Sequence, residues 1–285
     1  MYLSDALRES TNRLSTVSEN PSLDAQILLA HILGVSRAWV LAHPEASLNA
    51  EQEQVWNSAT ARLEGGEPLP YVLGRWEFYK LDFFVSPAVL IPRPETEMLV
   101  ERALGWLRDR PERRRAADIG TGSGCIAISL AVNLPDLHVW ASDVSLPALE
   151  IAKLNAQKHA VSDRVHFLHA DLLDFQSIAP HQQPFDLLAT NLPYIPTSRL
   201  KTLDVARREP RLALNGGEDG LDLIRRLIQS APRWLAQGGL CLLEIDSEHG
   251  ESALALAQET FPLAEVSVLP DLAGLNRLLV VQLHD

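Results

Sequence analysis

The chain has 285 residues, enough for one or two domains with a full core. Hydrophobic residues make up 46% and charged residues 22%, the balance of a globular protein and not of a disordered one. With 37 acidic against 25 basic residues the net charge is −12, which argues against tight nonspecific binding to naked nucleic acid.

The chain opens MYLSDALREST, with Asp5, Arg8 and Glu9 where a signal sequence would need an apolar core. No run is long enough to span a bilayer. Cys125 and Cys241 lie in separate apolar runs, with no Cys-x-x-Cys pair. A reduced, soluble, cytoplasmic protein without a membrane partner is expected. Up to Gly74 the spacing predicts short helices. One covers 23–33 and is closed by Gly34. A second covers 35–43 and stops before Pro44. A third covers 51–63, with Asn49 as cap and Gly65-Gly66 as its end. His31 and His43 have no metal-ligand spacing around them and read as packing or surface residues. Residues 1–74 thus read as a small helical domain that handles a partner.

Between Arg75 and Leu90 the aromatic and β-branched residues Phe78, Tyr79, Leu81, Phe83, Phe84 and Val85 predict a strand pair, a β-hairpin linker over 75–92. Ile91-Pro92-Arg93-Pro94-Glu95-Thr96-Glu97 follows. Its alternating prolines stiffen the chain, and Pro94 or Glu95 opens a helix to about Leu107. Arg93 reads as half of a structural ion pair before it reads as a ligand contact. The basic run 110–115, RPERRR, reads as a solvated loop.

From Arg115 strands and helices alternate, which predicts a mostly parallel α/β sheet over 93–285. Strands are expected at 116–119, 138–142, 165–168, 185–190 and 240–245. Helices are expected at 125–132, 146–159, 221–235 and 251–260. Two last strands, 264–269 and 277–283, have no helix between them and predict an antiparallel edge pair.

Three strand ends carry acids. Asp118 precedes the turn Gly120-Thr121-Gly122-Ser123-Gly124, whose glycines allow positive φ and a close ligand. The spacing is not that of a dinucleotide fold. A carboxylate at Asp118 would repel a pyrophosphate and attract an ammonium or a neutral donor. Asp143 ends the next strand, where it can accept both hydroxyls of a ribose. Asp171-Leu172 offers an acceptor and an apolar contact to an adenine. Asp143 or Asp171 alone also reads as a cap of a helix or loop; the ordered set fits a nucleoside with an amino-acid tail and no phosphates, S-adenosylmethionine. Finally, the strand 185–190 stops on Asn191-Leu192-Pro193-Tyr194, an amide, a proline and an aromatic ring at a strand's carboxyl end. Acceptor oxygens and a flat ring suit a planar NH2-bearing group, not a metal or a phosphate.

With both features in one chain, the sequence resembles the amino-group methyltransferases, and more closely the bacterial release-factor glutamine methyltransferases of the PrmC/HemK family. The resemblance runs through Leu23-Asp24-Ala25 and Leu28-Leu29-Ala30-His31, then Gly66-Glu67-Pro68-Leu69-Pro70-Tyr71-Val72-Leu73-Gly74. It continues through Val85-Ser86-Pro87, the Ile91 to Glu97 stretch, the glycine turn, and Glu209-Pro210-Arg211-Leu212-Ala213-Leu214 with Gly216-Gly217 and Asp219-Gly220-Leu221. It implies a Rossmann-like, seven-stranded class I methyltransferase domain behind a helical domain. The implied reaction methylates the glutamine side-chain nitrogen in the Gly-Gly-Gln loop of class-I peptide-chain release factors, leaving S-adenosylhomocysteine, with no direct nucleic-acid partner. Gly120 to Gly124 would then hold the methionine portion, Asp143 the ribose and Leu172 the adenine edge, with Asn191 between cofactor and substrate. In that role Asn191 and a carbonyl near Leu192-Pro193 accept the amide N–H groups while Tyr194 stacks on the amide plane.

Two positions depart from the family pattern. Leu192 stands where proline is usual, as in the Asn-Leu-Pro-Tyr of ribosomal-RNA adenine dimethyltransferases, and Asp246 replaces a glycine after Leu243-Glu244-Ile245. The competing readings are an adenine-N6 methyltransferase and a non-catalytic module that binds cofactor or release factor. No Gly-x-Ser-x-Gly elbow or Cys/His cluster supports a hydrolase.

Overall fold

The computed structural model describes residues 1–175 and 184–284. The chain divides into two compact units, Met1–Arg75 and Trp76–Asp285; the last residue of the second, Asp285, lies outside the described residues.

The first unit holds helices α1 (Leu3–Leu14), α2 (Pro21–Leu33), α3 (Arg37–Ala42), α4 (Ala50–Glu64) and α5 (Leu69–Leu73). Local chemistry sets their ends. Pro21 takes the first turn of α2, where its missing N–H costs nothing, and Gly34 closes that helix at φ +67°. Asn49 and Gln52 form a reciprocal capping box on α4. Ser36 caps α3 through the Trp39 N–H, so this helix starts two residues later than periodicity alone suggests. Leu3, Leu14, Leu28, Leu29, Val40, Trp56 and Leu63 fill the centre. Helix α5 escapes a periodicity reading because it is five residues long and contains Pro70.

A hairpin of β1 (Arg75–Phe78) and β2 (Leu81–Phe84) follows, all of it but Arg75 in the second unit. Tyr79 and Lys80 between them both take positive φ, as a type I′ two-residue hairpin turn requires. After α6 (Glu97–Arg108) come β3 (Arg115–Ile119), α7 (Cys125–Asn133), β4 (His138–Asp143), α8 (Leu146–Lys158), β5 (Val165–His169) and β6 (Phe185–Thr190). Two short helices follow, α9 (Thr197–Leu200) and α10 (Val205–Arg208), then α11 (Asp222–Ser230), β7 (Leu235–Glu244), α12 (Gly250–Thr260), β8 (Glu265–Pro270) and β9 (Asn276–Gln282).

The main sheet has seven strands in the order β5-β4-β3-β6-β7-β9-β8. All pairs are parallel except those of β9, which runs antiparallel to both neighbours. Alternation along each central strand feeds two separate cores. Ala116 of β3, Leu187 and Ala189 of β6 and Leu240 and Leu242 of β7 pack with Leu99, Leu104 and Ile128 from α6 and α7. Ala117, Ile119, Leu188, Cys241 and Leu243 face the other way, onto Ile224 and Leu227 of α11 and Ala253 and Ala257 of α12. Both faces of the sheet are thus covered, and the central strands read as continuous apolar runs. The expected α/β class and the closing antiparallel pair are what the structure shows.

One boundary is corrected. The helix expected over 221–235 ends at Ser230, and β7 begins at Leu235, five residues before its expected start. Pro232 has no N–H to continue the helix ladder, so 231–233 form a single 3-10 turn. The early part of β7 is irregular around Gly238 (φ +67°), where the pairing with β6 slips, and that hides it from a periodicity reading.

Candidate functional site

The site is built where the strand order reverses, between β3 and β6. The two strands are in parallel register with Asp118 beside Ala189 and Ile119 beside Thr190. The glycine turn after β3 therefore emerges next to Asn191 after β6, at a topological switch point. The Thr190 hydroxyl donates to the Ile119 carbonyl at 2.6 Å and ties the two strand ends together.

The turn is held from below and from the side. The N–H groups of Gly120 and Thr121 both donate to the Ser142 carbonyl at 2.8 Å, which fastens the turn to β4. Gly122 sits at φ +55°, and a Cβ there would meet no atom within 4 Å, so its backbone lies open to the cavity. Gly120, at φ +72°, already lies close to Leu192: an added Cβ would stand 3.0 Å from Leu192 Cδ2. Leu192 itself is buried and fills the space between the turn and the strand tip. Asn155 of α8 bonds Phe84 N–H and carbonyl at 2.6 and 3.0 Å and the Ser123 carbonyl at 2.9 Å, which joins the hairpin to the turn.

A cavity of about 350 Å3 opens here, lined by residues 120–123, 143–145, 170–172 and 191–193, with Arg93, Thr96, Ile126, Leu212 and Leu223 among its walls. A smaller pocket of about 100 Å3 shares Asn191, Leu192 and Pro193 and is completed by Tyr194 and Leu214. Ten of the residues picked from sequence meet at the main cavity: Gly120, Thr121, Gly122, Ser123, Asp143, Asp171, Leu172, Asn191, Leu192 and Pro193.

The three acids at strand ends have three different fates. Asp143 stands at the cavity wall, where Oδ2 accepts the Gly122 N–H at 2.9 Å and Oδ1 the Ser145 N–H at 2.8 Å. Burial raises its pKa, against those hydrogen bonds. Asp118 does not line the cavity, which corrects its expected place among the cofactor contacts; of the two partners expected for it, an ammonium or a neutral donor, it takes neutral donors of the chain itself. Its Oδ2 accepts from the Thr121 hydroxyl at 2.6 Å and the Ala127 N–H at 3.1 Å, so it braces the turn from inside the core. Burial lifts its carboxyl to about 7. Asp171 lines the cavity, but its Oδ2 accepts from Arg226 of α11 at 2.7 Å, a half-exposed ion pair across the rim. Leu172 takes the left-handed region at φ +53°, and its carbonyl accepts from the Ser142 hydroxyl at 3.1 Å. Gly124 also lies off the cavity, packed on Ile128 and Ala152 at the start of α7.

Behind Asn191 runs a buried polar chain that the sequence reading did not find. Asn191 Nδ2 donates to Thr96 Oγ1 at 3.0 Å, and Thr96 Oγ1 donates to Glu244 Oε2 at 2.6 Å. Tyr194 Oη approaches Glu244 Oε1 at 3.4 Å. Burial lifts the Glu244 carboxyl to about 7 and, together with Glu244, raises the Tyr194 phenol. The signal was a lone carboxylate at the end of the apolar run of β7, since such an acid is seldom buried without partners. Arg93 forms the structural ion pair expected of it, with Glu209 as a partner the sequence did not name: Glu209 Oε1 accepts from Arg93 Nη2 at 2.5 Å and Oε2 from the Ile91 N–H at 3.0 Å. Glu209 therefore braces the segment carrying Arg93 and Thr96. Asp246, in place of a glycine, accepts the Glu248 N–H and starts a 3-10 turn.

The chemistry on offer is acceptor oxygens and fixed backbone. Burial pushes the Cys125 thiol at the cavity wall up to about 12, which disfavours its thiolate. Among the described residues, no group of three or more His, Cys, Asp or Glu is placed to hold a metal ion. No helix among them is long and apolar enough to cross a membrane.

Two family models match the chain: a PrmC N-terminal domain over residues 5–74 and a methyltransferase small domain over 96–208. A release factor glutamine methyltransferase of Coxiella burnetii is 39% identical over 282 residues, covering 99% of each chain. One of Moorella thermoacetica is 43% identical over 280 residues, covering 97% of each. Among solved structures, a methyltransferase from Pyrococcus furiosus superposes with a TM-score of 0.53 at 15% identity, covering 83% of this chain and all of that one, a likeness of fold.

Proposed function

The chain belongs to the release factor glutamine methyltransferase family, and from that premise we propose that it methylates the side-chain amide nitrogen of the glutamine in the Gly-Gly-Gln loop of class-I peptide-chain release factors, with S-adenosylmethionine as donor. The observation that carries this reading is the meeting of the glycine turn with Asn191-Leu192-Pro193 in one cavity.

The residues present suit the donor. Each Asp143 oxygen holds one backbone N–H and keeps lone pairs for a second donor, which matches the adjacent hydroxyls of a ribose. Leu172 and Leu223 offer apolar wall for a flat base, and the open backbone at Gly122 leaves room for the amino-acid tail. The donor supplies an electrophilic sulfonium methyl. Asp118 keeps its place under the turn as a brace, not a ligand.

Asn191 and the carbonyls of Leu192 and Pro193 are the groups to hold the acceptor. An amide nitrogen is a weak nucleophile because its lone pair is shared with its carbonyl. Acceptor oxygens on its N–H bonds hold it in line and stabilise the positive charge that develops as the new bond forms. Tyr194 backs the tip from the adjoining pocket, its hydroxyl turned to Glu244. No general base is called for early, because an N-methylated amidium gives up its proton readily to water. The helical unit, residues 1–74, is assigned to recognition of the release factor, and the protein to the cytoplasm where translation ends. Incubation with a release factor and labelled donor tests the reading; label on RNA and none on protein would favour an adenine methyltransferase.

A further inference from the structure

The two ends of the Asn191 amide do opposite things: Oδ1 accepts and Nδ2 donates. Nothing in Asn191 itself decides which end faces the cavity. The decision lies in the buried chain behind it.

Thr96 Oγ1 has one hydrogen and two lone pairs. Glu244 Oε2, at 2.6 Å, takes the hydrogen, since an ionised carboxylate can only accept. That leaves lone pairs toward Asn191, at 3.0 Å, and only the NH2 end of the amide can meet them. With the amide turned over, Oδ1 and Oγ1 would face each other as two acceptors. Uptake of a proton by Glu244, which burial brings within reach near neutral pH, does not undo this arrangement. Oε1 has the Tyr194 hydroxyl at 3.4 Å as a partner for that proton, and Oε2 goes on accepting from Thr96.

We infer that Thr96, held by Glu244, is a positioning residue that sets the specificity of the site: it locks Asn191 with Oδ1 toward the substrate, so the tip takes an N–H donor and rejects an oxygen acceptor of the same shape. Glutamine and glutamate are such a pair. The amide brings hydrogens to Oδ1; the carboxylate brings only lone pairs. This inference rests on the glutamine reading above.

The test uses the full chain and two release-factor proteins, one with its Gly-Gly-Gln loop and one with that glutamine replaced by glutamate. Thr96→Val removes the hydroxyl at nearly constant shape, and Thr96→Ser keeps it. The measurements are kcat, KM for the release factor, Kd for the donor, and inhibition by the glutamate form. In T96V, kcat falls about 10- to 100-fold, and the preference for glutamine over glutamate falls by roughly tenfold or more, since a site built to bond an N–H rejects the analogue lacking it. Donor Kd stays within about twofold, and T96S recovers both losses, because only the hydroxyl bonds Asn191. Thr96→Ala is read the same way should T96V not fold. If the wild type methylates the release factor and T96V keeps both turnover and preference, the inference fails alone. T96S as impaired as T96V overturns it as well, by pointing to packing. A wild type that methylates no release factor overturns the glutamine reading and this inference with it.

Discussion

Asp143 accepts the Gly122 N–H at 2.9 Å, and this bond adds to the two at the Ser142 carbonyl by which the end of β4 holds the turn between β3 and α7. The carboxylate thus shapes the glycine turn and, in the proposed function, also offers lone pairs to a ribose. Asp143→Ala is expected to weaken binding of S-adenosylmethionine by about 10- to 100-fold, the size of losing charge-assisted hydrogen bonds. Calorimetry on the variant measures it. KM for the release factor is expected to stay within about threefold, since the acid lies on the donor side.

Asn191→Ala separates binding from chemistry. Turnover under saturating donor is expected to fall about 100-fold or more, as for removal of one group that stabilises developing charge. Donor affinity is expected to change little. Single-turnover methylation, with donor binding measured alongside, checks both halves.

Glu209 is nearly buried and holds both Arg93 and the Ile91 N–H. Glu209→Ala leaves a backbone donor and a guanidinium without their acceptor. Because Arg93 is about one-third exposed, part of its loss is met by water. A destabilisation of about 1–3 kcal/mol is expected in urea unfolding. KM for the release factor should rise, because Arg93 and Thr96 share the loosened segment.

Burial lifts Asp118 from its ordinary value of 3.8 to about 7. A folded-state pKa above the unfolded one means that the native chain binds the extra proton. The associated stability is complete below about pH 4 and is lost as the pH rises toward 7. Glu244, also lifted to about 7 by burial, acts in the same direction. Asp118→Asn is therefore expected to flatten the fall in melting temperature between about pH 4 and 7 relative to wild type. An unchanged slope would show that Asp118 is not the group responsible.

The alternation of apolar runs made the sheet legible, and β6 has the bounds expected of it, Phe185–Thr190, because it is buried on both faces and cut off by Pro193. The glycine turn and the Asn191 tip were legible for the same reason: each is a break in a regular pattern. The fates of Asp118, Asp143 and Asp171 were not, since all three lie at or within two residues of a strand's end and are told apart by which partner reaches them. Arg226, 55 residues on, takes Asp171, while Thr121 and Ala127 hold Asp118. Thr96 sits 148 residues from Glu244, and no local pattern announces a pair so distant. Helices α9 and α10, four residues each, are too short to show a period.

The most direct measurement is mass spectrometry of a class-I release factor after incubation with the protein and S-adenosylmethionine. The account predicts one added methyl group, on the peptide holding Gly-Gly-Gln and on its glutamine, added about 100-fold or more slowly when Asn191 is replaced by alanine. A release factor left unmodified by protein that binds the donor, or a methyl group on any other residue, would contradict it.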